Sequence, residues 1–385
     1  MKKTVLILTG QYLPGFKGGG PIKSISNIVE HLGEEFNFKI ITSDRDLGDR
    51  EGYKNIEFNK WIKFNGVDVI YLEPSKQKFS DMKRIINGID YDVMYLTGYF
   101  SHKFTLIPII LRRLRLIKRK KVILAPRGDF SPGALKNKEL KKRIFINVSK
   151  FIGLYKNIKW HATSEHEKFD IERIYGNKCR IYIANNLPKK NIKKYKNKSK
   201  KEVGKLSIVF ISRISPKKNI IYSLELLKNI HDIEINFDIY GPIEDKDYWK
   251  RCEEIIKILP RNIHVAYNGN LNPDDVAKKF SDYNLFLFPT MGENFGHVIL
   301  EAIIGSCPLL ISNKTPWLGL EEKGVGFDVP IERNDLFIKY IRYYAFLDGI
   351  KFKEVTNNMH IYLDEIISNN KDIELTKKMF YELSR

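Results

Sequence analysis

Short runs of branched apolar residues recur along this chain, each followed by a stretch of helical period. The first half predicts strands over residues 5–8, 39–42, 67–71, 93–96, 122–125, 159–162 and 180–184, with helices over 22–32, 78–86, 104–116, 139–149 and 164–175. The second half predicts strands over 207–211, 235–240, 264–267, 284–288 and 309–312. Its helices fall over 218–229, 247–259, 273–281 and 297–304, then 334–347, 352–367 and 371–383. Strands alternating with helices build βαβ units, and their sheets are mostly parallel. The fold class is therefore α/β, as two Rossmann-like parallel-sheet domains. Two such domains facing each other imply a cleft, a common position for a ligand.

The pattern is interrupted once. Nine lysines occupy residues 189–205, with few apolar residues among them. This polar stretch is read as a linker. It leaves residues 1–188 as the first domain and 206–367 as the second.

Bulk properties narrow the function class. The net charge of +20 favours anionic partners: acidic lipid, nucleic acid or a phosphate-bearing substrate. The three cysteines, Cys179, Cys252 and Cys307, lie far apart and form neither a disulfide framework nor a metal cluster. A reducing cytoplasm fits that usage. No apolar run approaches the ~20 residues of a membrane span. The apolar run after Lys3 is too short for a signal peptide and reads as a first buried strand.

The chemistry concentrates where the strand at 284–288 gives way to the helix at 297–304. Gly292 and Gly296 make the joining segment a loop. In an open α/β sheet, ligands sit at the carboxyl end of a strand, beside the start of the next helix. The helix start offers amides and partial positive charge to a phosphate. Glu293 lies in the loop and Glu301 in the second helical turn. A carboxylate beside a phosphate is electrostatically poor, so these acids are better suited to accept hydrogen bonds from sugar hydroxyls. An anion site with two hydroxyl-reading acids describes a nucleotide-sugar pocket. Arg213 and Lys218 follow the first strand of the second domain, where cations can neutralise a diphosphate. A solvated basic loop accounts for them equally well.

Other motifs carry less. Gly18-Gly19-Gly20 opens the first long helix, with Pro21 at its favoured first position. A flexible surface loop explains it about as well as a ligand loop. Arg127 and Asp129, in Pro126-Arg127-Gly128-Asp129, project from the end of a first-domain strand, where turn chemistry alone explains the Pro and Gly residues. Thr163 and Ser164 read as a helix cap. Asp44 and Asp46 lack a third metal ligand, and no histidine spacing indicates zinc. His102 is a further candidate beside the first-domain strands. Arg112, Arg113, Arg115 and Lys118 to Lys121, together with Lys136, Lys138, Lys141, Lys142 and Arg143, make the first domain basic. Either a hydrated face or an anionic membrane surface accommodates such a region.

Taken together, these motifs resemble the retaining glycosyltransferases of the GT-B class, family 4. Glu293 and Glu301 match its paired glutamates with seven residues between them, Phe295-Gly296 among those seven. Arg213 and Lys218 match its basic motif, with Ser212 in place of the usual glycine. Gly18 to Gly20, Pro126-Arg127-Gly128 and Thr163 to Glu167 resemble further family segments. The resemblance implies that the second domain binds a nucleotide-sugar donor. Glu293 would read sugar hydroxyls and Glu301 the ribose. Arg213, Lys218 and the amides of Phe295, Gly296, His297 and Val298 would hold the diphosphate, with Gly19 and Gly20 also on the donor side. The first domain would bind the acceptor, with His102 and Asp129 on that side. The helix at about 368–385 would return to the first domain. No metal or other cofactor is expected, since side-chain cations and a helix end supply the charge. Many members carry histidine where Arg127 stands; arginine cannot act as a base, so its expected role is binding.

The expected function is retaining transfer of a hexosyl unit to an undecaprenyl-diphosphate-linked or saccharide acceptor. This would serve bacterial surface polysaccharide synthesis, at the cytoplasmic face of an anionic inner membrane. Two alternatives stand beside it. One is a basic nucleic-acid-binding protein, motivated by charge alone; without interleaved aromatics, nucleic acid is not an expected partner. The other is a sugar-nucleotide epimerase on the same scaffold.

Overall fold

The structure is a computed structural model, and it describes residues 2–136 and 138–384. The chain divides into two compact units. One contains residues 1–190 and 370–385, the other residues 191–369.

The first unit is built on eight strands: β1 (Lys3–Leu8), β2 (Phe36–Ser43), β3 (Trp61–Phe64), β4 (Val67–Leu72), β5 (Val93–Thr97), β6 (Lys121–Ala125), β7 (Lys159–Ala162) and β8 (Ile181–Ile183). Their order is β3-β4-β2-β1-β5-β6-β7-β8. All neighbours are parallel except β3 and β4. The second unit has β9 (Lys205–Ile211), β10 (Glu234–Tyr240), β11 (Ile263–Tyr267), β12 (Leu285–Phe288), β13 (Leu309–Ser312) and β14 (Gly326–Val329). They run in the order β11-β10-β9-β12-β13-β14, all parallel.

Both sheets therefore reverse direction at their first strand. The chain leaves β1 towards β2 and later resumes on its other side with β5. It leaves β9 towards β10 and resumes with β12. At such a reversal the two connections leave for opposite sides of the sheet, and ligands bind there, at the carboxyl ends of the strands. In the second unit, these loops are the ones that carry Lys218 and Glu293.

Apolar faces explain why the sheets are stable. Leu285, Phe286, Leu287 and Phe288 are all fully buried, as expected of a strand covered on both faces. In the first unit, Phe36, Phe38 and Tyr95 pack against Phe380 of the helix Lys371–Ser384, with ring centroids 5.6–6.1 Å apart. Met379 and Leu383 of that helix are buried in the same core.

The lysine-rich run lies along the second unit. Tyr195 donates its amide to Ile304 O (3.0 Å), and Lys198 donates to Ser281 O (2.7 Å). Asn197 donates from Nδ2 to Tyr283 O and Ser306 O (2.9 and 3.0 Å). Lys193, Lys194, Lys196, Lys198 and Lys200 are exposed, whereas Lys201 turns inward and donates from Nζ to Ala345 O (2.7 Å).

Candidate functional site

The loop after β12 is shaped by its glycines. Gly296 is the cap of the helix His297–Ile304 and has φ of 79°, in the left-handed region. A Cβ there would stand 2.9 Å from Ile299 Cδ1 and 3.4 Å from Trp317 Nε1. Glycine is required on both counts. Trp317 donates its indole N–H to Phe295 O and so fixes the loop just ahead of the helix. No side chain caps the helix start.

Three bonds join this loop to the one after β9. Met291 N donates to Lys217 O (2.8 Å), Thr290 Oγ1 donates to the same carbonyl (3.2 Å), and Asn219 Nδ2 donates to Pro289 O (3.1 Å). From the other side, Glu293 N donates to Lys314 O (3.0 Å). The backbone thus delivers the Glu293 side chain to Lys218. They form an ion pair through Glu293 Oε1, with side chains 11% and 10% exposed. Thr290 Oγ1 also lies 3.1 Å from this oxygen, so its one proton is shared between Lys217 O and Glu293. Burial would raise the Glu293 pKa. The charge and hydrogen bond of Lys218, with help from Lys217 and Thr290, outweigh burial and hold it below the usual carboxylate range. Glu293 is therefore an anion at any ordinary pH. Oε2 takes part in neither bond, and Lys218 has donors beyond the one that the pair uses.

Arg213 stands differently. Its guanidinium pairs with Glu244 at 3.1 Å, both side chains being nearly half exposed. Glu244 belongs to the loop after β10, which is drawn close by backbone bonds. Ile214 N donates to Pro242 O (2.8 Å), and Glu244 N donates to Ile214 O (3.1 Å). The approach depends on Gly241, where a Cβ would fall 1.9 Å from Ser212 O. The atom that requires the glycine is the Ser212 backbone carbonyl, so the close approach is between main chains. Neither Glu244 nor Gly241 stood out in the sequence. Glu301 lies on the helix His297–Ile304 in the turn after His297 and Val298.

The remaining candidates belong to the first unit. Gly19 caps the helix Gly20–Leu32, with φ of 67°. The loop before it hangs on buried Asp46, which accepts from the amides of Phe16 (2.6 Å) and Lys17 (2.9 Å). Asp44 is paired bidentately with Arg45 (2.8 Å to each oxygen). Both acids are engaged by protein groups, and among the described residues no three His, Cys, Asp or Glu stand together as metal ligands.

Arg127 anchors a buried polar chain that spacing alone did not reveal. It donates from Nη1 to Asn186 Oδ1 and from Nη2 to Tyr95 Oη (2.7 Å). Tyr95 Oη lies 2.7 Å from His161 Nδ1, and His161 Nε2 lies 2.9 Å from Ala184 O. A carbonyl only accepts, so Nε2 carries the proton. Tyr95 then donates to Nδ1 while accepting from Arg127. Burial, with the Arg127 charge, pushes the His161 pKa down to about 3. The imidazole is neutral and serves as scaffold for Arg127. Arg127 Nε is buried without a partner.

Asp129, on the same loop, turns another way. It accepts from the amides of Tyr99 (2.6 Å) and Phe100 (3.4 Å). Burial raises its pKa to about 6, against those two bonds and Lys142. Glu167 joins the neighbouring loops by accepting from Gly128 N (2.6 Å), Thr163 N (2.8 Å) and Thr163 Oγ1 (2.7 Å). Ser164 caps the helix Glu165–Tyr175, as its position in the sequence indicates. His102 is exposed at the start of a single π-helical turn, His102–Leu106.

Comparison with known proteins fits this geometry. Residues 191–346 match the family described as "Glycosyl transferases group 1". The match lies wholly within the second unit. The whole chain has the GT-B fold: it superposes on HepE of Anabaena, solved with UDP and glucose, with a TM-score of 0.70 over 99% of both chains at 16% identity. Among curated proteins, it is 25% identical over 130 residues to the GtfA subunit of the UDP-N-acetylglucosamine–peptide N-acetylglucosaminyltransferase of Streptococcus agalactiae, a match covering 33% of this chain and 24% of that one. It is 24% identical over 151 residues to the sulfoquinovosyl transferase SQD2 of Arabidopsis thaliana, covering 39% of this chain and 25% of that one. The chain thus spans about a quarter of the length of these two relatives. Among the described residues, no helix is long and apolar enough to cross a membrane.

Proposed function

We propose that the protein is a retaining glycosyltransferase that moves a hexosyl unit from a nucleotide sugar to a lipid-linked or saccharide acceptor. Its setting would be bacterial surface polysaccharide synthesis at the cytoplasmic face of an anionic membrane. The observation that carries this reading is the Lys218–Glu293 pair, held at the sheet reversal of the unit that matches the group 1 family, beside a helix start with no side-chain cap. Each group has spare capacity: Lys218 has donors left for a phosphate oxygen, and Glu293 Oε2 can accept from a sugar hydroxyl.

In this reading the acceptor hydroxyl oxygen attacks the anomeric carbon as the bond to the diphosphate breaks. The hydroxyl proton passes to the departing diphosphate oxygen, on the face that the nucleotide leaves. Negative charge grows on that oxygen during transfer. Lys218, Arg213 and the amides at the start of the helix His297–Ile304 therefore stabilise the transition state more than the bound donor. These groups do the electrostatic work without a metal. Arg213 would exchange Glu244 for phosphate, an exchange made easy by the exposure of that pair. Glu301 would hold the ribose, and Arg127, Asp129 and His102 would lie on the acceptor side.

A donor panel with a membrane extract as acceptor tests the proposal, beginning with UDP-sugars because HepE was solved with UDP. Release of nucleoside diphosphate that falls at least about a hundredfold in Glu293→Gln is expected. Absence of release with every common sugar nucleotide would overturn it. Clean interconversion of the free sugar nucleotide, without acceptor turnover, would indicate an epimerase instead.

A further inference from the structure

The helix Glu139–Phe151 carries its apolar residues on the wrong side for a soluble core. Its buried residues are Ile146 and Ser149. Ser149 Oγ lies 2.7 Å from Tyr99 Oη and 3.3 Å from Tyr175 Oη, which fixes the rotation of the helix about its axis. The opposite face holds Leu140, Ile144, Val148 and Phe151, at spacings of four, four and three residues, so they form one stripe. Ile152 extends it beyond the helix end. Each is at least half exposed, Leu140 at 72% and Phe151 at 92%. Scattered exposed apolar residues need no explanation, but a continuous stripe on one helix does.

The stripe is bordered by cations. Residues 132–152 contain six basic residues, at 136, 138, 141, 142, 143 and 150, against one acid, Glu139. Lys141 flanks the stripe on one side, and Arg143 and Lys150 on the other; all three are exposed. The separate basic run at 112–121 meets the same helix end, where Arg113 Nη2 donates to Ile152 O (3.4 Å). Leu114, beside it, is also exposed.

We infer that the helix Glu139–Phe151 docks in the plane of an anionic lipid surface, with Leu140, Ile144, Val148 and Phe151 inserted among the acyl chains and the flanking cations at the headgroups. This deepens the membrane reading above and rests on it. An apolar stripe rimmed by lysine and arginine is what an interfacial helix requires. Charge complementarity selects lipid over a second copy of the chain: pairing two such stripes would bring Lys141, Arg143 and Lys150 against their own like. Because Ser149 anchors the helix to the unit, insertion of its outer stripe would set the unit's distance from the lipid.

The test is sedimentation of the full chain with vesicles, in the absence of donor. Binding is expected to vesicles rich in phosphatidylglycerol, and weakly at most to phosphatidylcholine alone. Phe151→Asp and Ile144→Asp should each lower the partition coefficient about tenfold or more. Both side chains are exposed, so circular dichroism should be unchanged. Lys141→Glu with Arg143→Glu should lower binding and flatten its salt dependence. Equal binding by wild type and Phe151→Asp would overturn the inference. So would a dimer in sedimentation velocity that Phe151→Asp dissociates without any effect on vesicles. Donor turnover with a soluble acceptor is measured separately. Loss of vesicle binding with turnover intact removes only the docking helix, and loss of turnover with binding intact removes only the transfer reading.

Discussion

Lys218 and Glu293, from the loops that follow β9 and β12, form an ion pair with about a tenth of each side chain exposed. Lys218 also lies 5.5 Å from the Phe288 ring centroid. A charge left alone in that position has little water to turn to. Lys218→Ala should therefore destabilise the second unit by about 3–5 kcal/mol, whereas Lys218→Met combined with Glu293→Gln should recover much of the loss. Urea unfolding of the single and double variants reads this coupling directly.

The same pair sets an acid limit. The folded-state pKa of Glu293 lies below its ordinary value of 4.5. A depressed carboxylate stabilises the fold at pH values above its unfolded pKa, and that contribution disappears as pH falls through the lower, folded value. Melting temperatures measured from pH 7 down to 3 should fall more steeply for wild type than for Glu293→Gln. Parallel curves would show that Glu293 has no such role.

Asp129 should behave in the opposite sense. Its folded pKa is raised to about 6, so the folded protein holds that proton where the unfolded chain has lost it. The group then destabilises the fold as pH rises from about 4 to about 6, and the cost stays constant above that. Asp129→Asn keeps an oxygen to accept from the Tyr99 amide and carries no charge. Relative to wild type it should gain on the order of 2 kcal/mol between pH 4 and pH 7, read by chemical unfolding at each pH.

Gly296→Ala tests the loop geometry. Alanine at φ of 79° costs roughly 1–2 kcal/mol, and its Cβ would press on Ile299. Reduced stability of that size is expected and, in the proposed function, a raised KM for the donor, because the helix start that would face the phosphate must shift. Gly10→Ala, where a Cβ meets nothing within 4 Å, is the matched control.

Arg213→Ala should leave stability within about 1 kcal/mol, since an exposed pair contributes little. In the proposed function its effect falls on donor affinity. Glu244→Ala should not reduce that affinity, because it frees the guanidinium. Isothermal titration with the nucleotide measures both.

The parts of this fold legible in the sequence were those set by local period. β1, β5 and β12 are dense in buried apolar residues, and the helix His297–Ile304 is bounded by glycines, so their positions follow from the chain alone. β3 and β14 escaped notice. β3, Trp61–Phe64, is an edge strand with Lys63 exposed, and β14 opens on Gly326 and contains Asp328, so neither shows a clean apolar pattern. The helix expected over 104–116 is a π-helical turn followed by the shorter helix Ile107–Arg113. Lys218 and Glu293 could be picked out by residue type and position, but their direct contact could not, because it depends on the register between β9 and β12. The partners of Arg127 lay further out of reach. Tyr95 lies within β5, His161 within β7 and Asn186 just beyond β8, and they converge only when the sheet is assembled.

The helix Lys371–Ser384 completes the core around Phe36, Phe38 and Tyr95, yet it leaves the ribosome only after the whole of the second unit. Asp372 accepts from Asn185, and Glu382 from Arg180 and Tyr182, so the end of the first sheet also waits for it. The second unit is one continuous segment, and its β9–β14 sheet has every strand available before that helix emerges. During synthesis, then, the order of folding is inverted with respect to the order of sequence: the later unit can close first, and the earlier one must remain open around an exposed aromatic surface until it does.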